Sequence, residues 1–253
     1  MDFTPTTTSP FYSSGFFGYG QKGDFKIFSL AHFIPVIILV CSIVVLYIFK
    51  DKIKNSKYEN TIRVTIAFIN LMSEFAYYWR VLYVGGDTSK TLLITKLPLQ
   101  ACDWACIISS IMMFNKNEKL FQYCCCAVLT LGIIPLFYPN AISKTGPTYF
   151  RYYQFWLNHS LPIFSTYYMI YIHGFKPRKI AIVYALGFLI PLGLLSAYLN
   201  NKIPKAYFMY LNSKNAIARL LPTNQYLKIV ILGLFMIGLY LIIYKIFNRK
   251  KKS

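Results

Sequence analysis

Long apolar segments recur along this chain, and each is about as long as a membrane is thick. The first, residues 29–49, contains no charged side chain. A helix needs about 20 mostly apolar residues to cross the hydrocarbon core of a bilayer. By this criterion the sequence predicts an all-α membrane helix bundle with seven transmembrane helices. The predicted spans are 29–49, 64–84, 92–114, 120–138, 150–172, 180–199 and 227–247.

The composition excludes an ordinary soluble domain. Of the 253 residues, 56% are hydrophobic and only 14% are charged, whereas soluble proteins carry about 25% charged residues. The 27 basic residues outnumber the 8 acidic ones, which gives a net charge of +19. In a membrane protein this excess is typical of cytoplasmic loops near anionic lipid head groups. We therefore expect membrane phospholipids, and not nucleic acid, as the partners of this charge.

The short loops give the orientation. Basic residues concentrate in the short loops on the side of the C-terminus, which predicts a cytoplasmic C-terminus and an N-terminus outside. We divide the chain into an extracytoplasmic polar and aromatic segment (1–28), a transmembrane domain (29–247) that includes an interfacial loop (200–226), and a basic cytoplasmic tail (248–253). The abundance of Lys, Ile, Asn and Tyr favours a bacterial plasma membrane as the location.

Three of the spans carry polar side chains at helical spacing. Residues three or four apart on a helix are neighbours, so each stripe can point into the bundle. The stripes are Asn70, Ser73, Glu74, Tyr77 and Arg80 in span 2; Cys102, Asp103, Cys106 and Ser110 in span 3; and Arg151, Gln154, Asn158, His159 and Thr166 in span 5.

The deepest of these groups share one depth. At 1.5 Å per residue, Glu74 and His159 lie about 15 Å below the outer ends of their helices, and Cys102 about 8 to 17 Å. Polar groups at this depth are costly and usually functional. A thiol, a base and a carboxylate are what a cysteine nucleophile requires. We therefore predict Cys102 as nucleophile and His159 as base, with Glu74 or Asp103 orienting the imidazole.

Ordered blocks along the chain resemble a known family. They are Phe28-Ser29 with His32, Ser73-Glu74 with Tyr77 and Trp79, Leu97-Pro98-Leu99-Gln100 with Cys102, 150–155 with His159, and 207–211. Together they resemble the YwaF-type bacterial membrane proteins, which in turn resemble the animal transmembrane protein 164 family. That family has seven spans and is implicated in acyl transfer between phospholipids, with a Cys and a His as catalytic candidates. The resemblance implies these roles for Cys102 and His159.

This chain departs from the family pattern beside both candidates. Ala101 precedes the cysteine where a larger apolar residue is usual, and Ser160 follows the histidine where Gly is frequent. Neither change removes a reactive group.

The remaining polar residues are candidates for substrate binding. Arginine suits the phosphate of a lipid head group, so Arg80 and Arg151 are assigned to it. The full set of substrate-binding candidates is Arg80, Arg151, Gln100, Gln154, Asn158 and His32. In the structural alternative, either arginine pairs with Glu74 or Asp103, and Cys102 is a packing thiol. We expect neither a metal nor a soluble cofactor.

Two further functions fit the same residues. Glu74, Asp103 and His159 could relay protons or cations in a transporter or channel. Alternatively, the polar stripes could serve helix association in a non-catalytic, lipid-binding scaffold.

Prolines mark possible breaks in the spans. Pro98, Pro162 and Pro191 are predicted to lie inside helical spans, where each frees a carbonyl group and can open the wall of a pocket. Two of them lie within four residues of Cys102 and His159.

Overall fold

The structure, a computed structural model, describes residues 16–17, 25–84, 97–139, 142, 145–203, 206, 208–211 and 221–249, with their side chains except those of 79–84 and 210. Within these ranges it contains helices and no strand, so the all-α prediction is confirmed there. The helices are α1 (Leu30–Ile48), α2 (Lys50–Lys54), α3 (Glu59–Val84), α4 (Ala101–Asn115), α5 (Glu118–Tyr123), α6 (Ile134–Phe137), α7 (Phe150–Tyr171), α8 (Ala181–Lys202) and α9 (Gln225–Phe247).

Three helices, α1, α8 and α9, are long and apolar enough to cross a membrane. A fourth span is possible if the bent segment around α5 and α6 counts as one crossing. Helices α3 and α7, of 26 and 22 residues, are long enough but more polar. The two most apolar helices expose many large side chains, such as Ile38 on α1 and Leu234 on α9, as a surface in contact with lipid requires. The count of seven spans remains a prediction.

The polar stripes lie on the three helices at the centre of the bundle. Helices α3, α4 and α7 pack against one another, while α1 packs on α7, and α8 packs between α5 and α9. The three more polar helices therefore bury their stripes against one another, with α1 packed on α7 and α5 packed on α4.

The fourth predicted span is broken. After α5 the chain makes a π-helical turn, Cys124–Val128, and a 3₁₀ turn, Leu131–Ile133, before α6. The two halves meet at an angle of 52°. The three cysteines 124–126 are fully buried in this turn, as small packing side chains are.

The third predicted span begins later than expected. Residues 97–100 are not helical, and α4 begins at Ala101 after Gln100, which is in an extended conformation with φ −85° and ψ 142°. The prediction that Pro98 lies inside a helix is therefore wrong. A carboxylate in the first turn, Asp103, accepts from the backbone N–H of Gln100 and fixes the start of the helix there. Residues 92–96 of this span lie outside the described residues.

The other two prolines are inside helices as predicted, Pro162 in α7 and Pro191 in α8. Helix α1 also contains one, Pro35.

The predicted interfacial loop is shorter at both ends. Helix α8 continues to Lys202 and α9 begins at Gln225. The side chain of Asn200 holds the described part of the loop, because it accepts from Phe208 N at 2.7 Å and donates to Phe208 O at 3.0 Å. Residues 204–205, 207 and 212–220 of this loop, and 1–15 and 18–24 of the N-terminal segment, lie outside the described residues.

Candidate functional site

The centre of the polar cluster is the side chain of Asn158 on α7. Its Nδ2 donates to Glu74 Oε2 on α3 at 2.9 Å. Its Oδ1 accepts from Ser73 Oγ on α3 at 3.1 Å and from Cys106 Sγ on α4 at 3.0 Å. One amide thus joins all three central helices.

Pro162 supplies a further link between α7 and α4. Because proline has no N–H, the carbonyl of Asn158, four residues earlier, loses its donor within the helix. Cys106 Sγ lies 3.1 Å from this carbonyl oxygen. The thiol of Cys106 is therefore positioned between two acceptors of the same asparagine, and it is fully buried.

A second set of contacts joins α3 to each neighbour. Toward α4, Asn70 Nδ2 donates to Ser109 Oγ at 2.7 Å and to Cys106 O at 3.3 Å. Toward α7, Gln154 Nε2 donates to Ser73 O at 2.9 Å. These bonds satisfy buried polar groups between helices, where unpaired groups would be costly.

Arg151 covers the end of the cluster nearest the start of α7. Its guanidinium donates to Gln154 Oε1 and lies 4.7 Å from the ring centre of Tyr77 and 5.8 Å from that of Phe155. Among the described side chains it has no carboxylate within ion-pair distance. Cation–π contacts of this kind hold a cation while leaving N–H groups for a ligand.

Asp103 receives three donors at the start of α4. Oδ2 accepts from Gln100 N at 3.2 Å and from Tyr78 Oη at 3.3 Å, and Oδ1 lies 3.5 Å from Cys102 Sγ. The contact with Gln100 N gives Asp103 a structural task as the carboxylate that caps its own helix.

His159 uses one ring nitrogen within its own helix. Nδ1 lies 2.8 Å from the carbonyl oxygen of Phe155, an acceptor, so Nδ1 carries the proton in the neutral ring. Its ring also packs at 4.2 Å on that of Phe155. Among the described residues Nε2 has no hydrogen-bond partner, so the neutral ring offers an unprotonated nitrogen.

The two leading catalytic candidates do not contact each other directly. Cys102 is partly buried on the first turn of α4, and its sulfur bonds to Asp103, while His159 bonds to Phe155. No hydrogen bond within the described part of the chain joins Cys102 to His159, or Glu74 to His159.

The comparison with protein families adds an independent observation. The family model described as "TMEM164 family" matches residues 27–247, from just before α1 to the end of α9. The chain belongs to the TMEM164 family. Comparisons with curated proteins and with solved structures gave no match. Together with its apolar helices, this membership makes the protein a multi-pass membrane protein.

In this TMEM164 family member, His32 is held by backbone groups on both sides. Nδ1 accepts from Phe28 N at 3.0 Å, so Nε2 carries the proton that it donates to Leu136 O at 2.7 Å. The ring is buried and stacks on Trp156 at 5.7 Å. With both nitrogens in use, His32 ties the start of α1 to α6, which favours a structural role over substrate binding.

The structural alternative, in which Arg80 or Arg151 forms a salt bridge with Glu74 or Asp103, can be checked for Arg151. No described basic side chain lies within ion-pair distance of Glu74 or Asp103, Arg151 included. The side chain of Arg80 lies outside the described residues. No group of three His, Cys, Asp or Glu side chains within the described ranges is arranged to hold a metal ion.

Sequence patterns indicated most of this cluster but not all of it. Tyr78 and Ser109 were missed because neither belongs to the stripes read from the sequence. Ser109 lies on α4 and Asn70, its partner, lies on α3. Their contact can be predicted only when the register of α3 against α4 is known.

Proposed function

We propose that this protein transfers acyl chains between phospholipids, with Cys102 as nucleophile and His159 as general base. The observation that carries the proposal is the orientation of His159. Its Nδ1–H is held by the Phe155 carbonyl, which leaves Nε2 free to accept a proton. The backbone carbonyl of Phe155 holds the orientation and tautomer of the imidazole, as a carboxylate does in many cysteine and serine enzymes.

Cys102 is a better nucleophile candidate than Cys106. Cys106 is fully buried, and two oxygens of Asn158 surround its sulfur. Cys102 is only partly buried and has the single contact with Asp103. A lipid ester can therefore approach Cys102 without breaking the bonds that join α4 to α7.

The proposed reaction has two balanced steps. His159 Nε2 takes the thiol proton as Cys102 Sγ attacks the ester carbonyl carbon; the ester C–O bond breaks, and the imidazolium returns the proton to the departing lysophospholipid oxygen. A second lysophospholipid then gives its hydroxyl proton to His159 and attacks the thioester carbon. The new ester forms, the C–S bond breaks, and the thiolate recovers the proton. The step requires Cys102 Sγ to leave Asp103 and reach His159.

Arg151 is the leading candidate to bind the lipid phosphate, because its guanidinium has no described carboxylate partner and stays near Tyr77. Arg80 is proposed as a second phosphate ligand. Gln100, Gln154 and Asn158 are proposed to shape the site, since Gln154 and Asn158 already bond to neighbouring helices.

The test is acyl transfer by the purified protein in vesicles that contain labelled diacyl phospholipid and unlabelled lysophospholipid. We expect the wild type and Cys41→Ala, a thiol exposed on α1, to transfer label. Cys102→Ala should abolish transfer and should not trap a thioester. Transfer that survives Cys102→Ala would refute the mechanism, and a wild type without transfer would refute the function.

A structural role is the second candidate, because most polar groups of the cluster bond across helices to each other. In that case the double variant Glu74→Ala with His159→Ala should lose bundle stability, and no lipid should be modified. Unchanged stability in that variant would argue against a purely structural cluster.

We also propose a more specific family relationship, a cellular location and a membrane topology. The ordered motifs support a place near the YwaF-type bacterial proteins, with the chain in a bacterial plasma membrane. The lengths of α3 and α7 support their counting as spans despite their polarity. Seven crossings then put the N-terminus outside and the C-terminus in the cytoplasm.

A further inference from the structure

Two buried acceptor atoms on α3 have no donor among the residues that the structure describes. Glu74 Oε1 and Asn70 Oδ1 are inaccessible to solvent, and neither accepts a hydrogen bond from a donor in the described part of the chain. The residues are 1% and 0% exposed. They are four apart on one helix, so their side chains are neighbours on the same face.

The orientation of each side chain is fixed by its other contacts. Asn70 Nδ2 donates to Ser109 Oγ and Cys106 O, and exchanging the amide atoms would set an oxygen against the Cys106 carbonyl. Glu74 Oε2 already accepts from Asn158. The unpartnered atoms are therefore both oxygens, and neither can donate to the other if Glu74 is ionised.

The neighbouring titratable groups have no proton to spare for Glu74 Oε1. The groups that face this carboxyl are Tyr78 on α3, Cys102, Asp103 and Cys106 on α4, and Arg151 on α7.

Each of these groups is already engaged. The protons of Tyr78 and Cys102 go to Asp103, that of Cys106 goes to Asn158, and the Arg151 guanidinium bonds to Gln154. A buried ionised carboxylate with one donor is strongly disfavoured.

We propose that Glu74 is an intramembrane proton-binding site, with its Oε1–H donating to Asn70 Oδ1. One proton changes Glu74 Oε1 from acceptor to donor and gives Asn70 Oδ1 its missing partner. Both unpartnered oxygens are satisfied together, and no water or ion is required. This inference does not depend on acyl transfer.

The proton belongs to Glu74 and not to Asp103. Asp103 receives three donors, from a backbone N–H, a hydroxyl and a thiol, which stabilise the ionised form. Glu74 receives one. With Glu74 neutral, the carboxylate of Asp103 and the guanidinium of Arg151 balance each other among the described charges of the cluster, and a balanced cluster costs least within a membrane.

Infrared spectroscopy tests the proposal on the full chain in a maltoside detergent, whose head group contains no carbonyl. At neutral pH the wild type should show the C=O stretch of a carboxylic acid, shifted in D₂O. Glu74→Gln should remove the band, and it preserves the fold because the Gln amide can donate to Asn70. The matched control, Asp103→Asn, should retain the band.

Asn70→Ala should shift the band to higher frequency, because the acid loses its acceptor. A wild-type spectrum without the band would overturn the proposal by itself, whatever the variants do. So would a band that Asp103→Asn removes and Glu74→Gln leaves. Since the readout is spectroscopic, a failed acyl-transfer assay leaves the result unaffected.

Discussion

Asn158 has more cross-helix partners than any other side chain described in the cluster, and each partner depends on it differently. Glu74 receives its one donor from Asn158, while Ser73 and Cys106 find in its Oδ1 a common acceptor. Deleting the amide removes the described donor to Glu74 and one acceptor each from Ser73 and Cys106, which keep the backbone oxygens of Asn70 and Asn158. The sequence shows only that an amide lies one residue before a histidine.

Asn158→Ala should destabilise the protein by about 1–3 kcal/mol, the cost of leaving buried polar groups unpaired. The measurement is chemical unfolding in detergent. The matched control is Leu157→Ala, which removes an exposed side chain from the adjacent position and should change the free energy of unfolding little. If Asn158→Ala and Leu157→Ala lower the free energy of unfolding equally, the central role of Asn158 in the cluster is contradicted.

At the scale of elements, two helices are joined to a neighbour through a carbonyl that a proline has freed. Pro162 frees the carbonyl of Asn158 for Cys106. In the same way, Pro35 in α1 frees the carbonyl of Ala31, which accepts from Tyr152 Oη on α7 at 2.5 Å. In both cases the group four residues before the proline receives a side-chain donor from another helix. Pro162 and Pro35 are therefore each part of an attachment between two helices.

Tyr152→Phe should cost about 1 kcal/mol, since it removes the donor to Ala31 O. In a Pro35→Ala background the restored N–H of residue 35 supplies that carbonyl, so most of the cost of Tyr152→Phe should disappear. The double-mutant cycle is measured by unfolding in detergent. Tyr153→Phe, at an exposed neighbouring position, is the control. If the two substitutions change the free energy of unfolding additively, the bond from Tyr152 to the Ala31 carbonyl does not depend on Pro35, and the attachment is contradicted.

At the opposite end of α3, Glu59 joins this helix to α7 and to the segment that follows α7. Its Oε1 accepts from Arg63 Nε at 3.1 Å, Tyr168 Oη at 3.2 Å and His173 Nε2 at 2.9 Å. Arg63 in turn donates to the carbonyls of Met113 and Phe114 at the end of α4, which lack helical donors.

Acid should weaken this junction. Burial raises the pKa of Glu59, but the hydrogen bond and charge of His173 and the charges of Arg63 and Lys116 bring it below 4.5. Burial lowers the pKa of His173 below 6.5, and its bond to Glu59 offsets this only in part. Both groups bind protons more readily when unfolded, so the free energy of unfolding should fall as the pH drops through 6.5 and again below 4.5.

Thermal unfolding in detergent across this pH range measures the effect. His173→Gln retains a donor to Glu59 without a titrating ring, so it should flatten the upper part of the profile. The fall below 4.5 should become smaller but persist, because Glu59 loses the charge of His173 and keeps those of Arg63 and Lys116. A wild-type profile that rises on acidification would contradict the assignment.

At the scale of the whole molecule, the sequence predicted the apolar helices and the polar stripes well, because both follow from spacing along one helix. The partners of the stripes could not be predicted in the same way. Whether Asn158 meets Glu74 or another group depends on the rotation and register of α3 against α7. The start of α4 was recoverable in part, because an acidic residue such as Asp103 is typical of the first turn of a helix.

The proposed topology concerns the whole chain. An odd number of crossings puts the termini on opposite sides of the membrane. We expect green fluorescent protein fused to the C-terminus to fluoresce and alkaline phosphatase fused there to stay inactive, with the reverse result at the N-terminus. Termini on the same side would rule out seven spans.

The bonds between a carbonyl that a proline frees and a side-chain donor on another helix have an evolutionary consequence. The bond from Cys106 to the carbonyl of Asn158 forms only while residue 162 leaves that oxygen free, and the bond of Tyr152 stands in the same relation to Pro35. Among homologues, substitution of either proline should relax selection on its distant donor. We therefore expect positions 106 and 162, and positions 35 and 152, to vary as pairs, so that the pairs record helix contacts in family members whose structures are unknown.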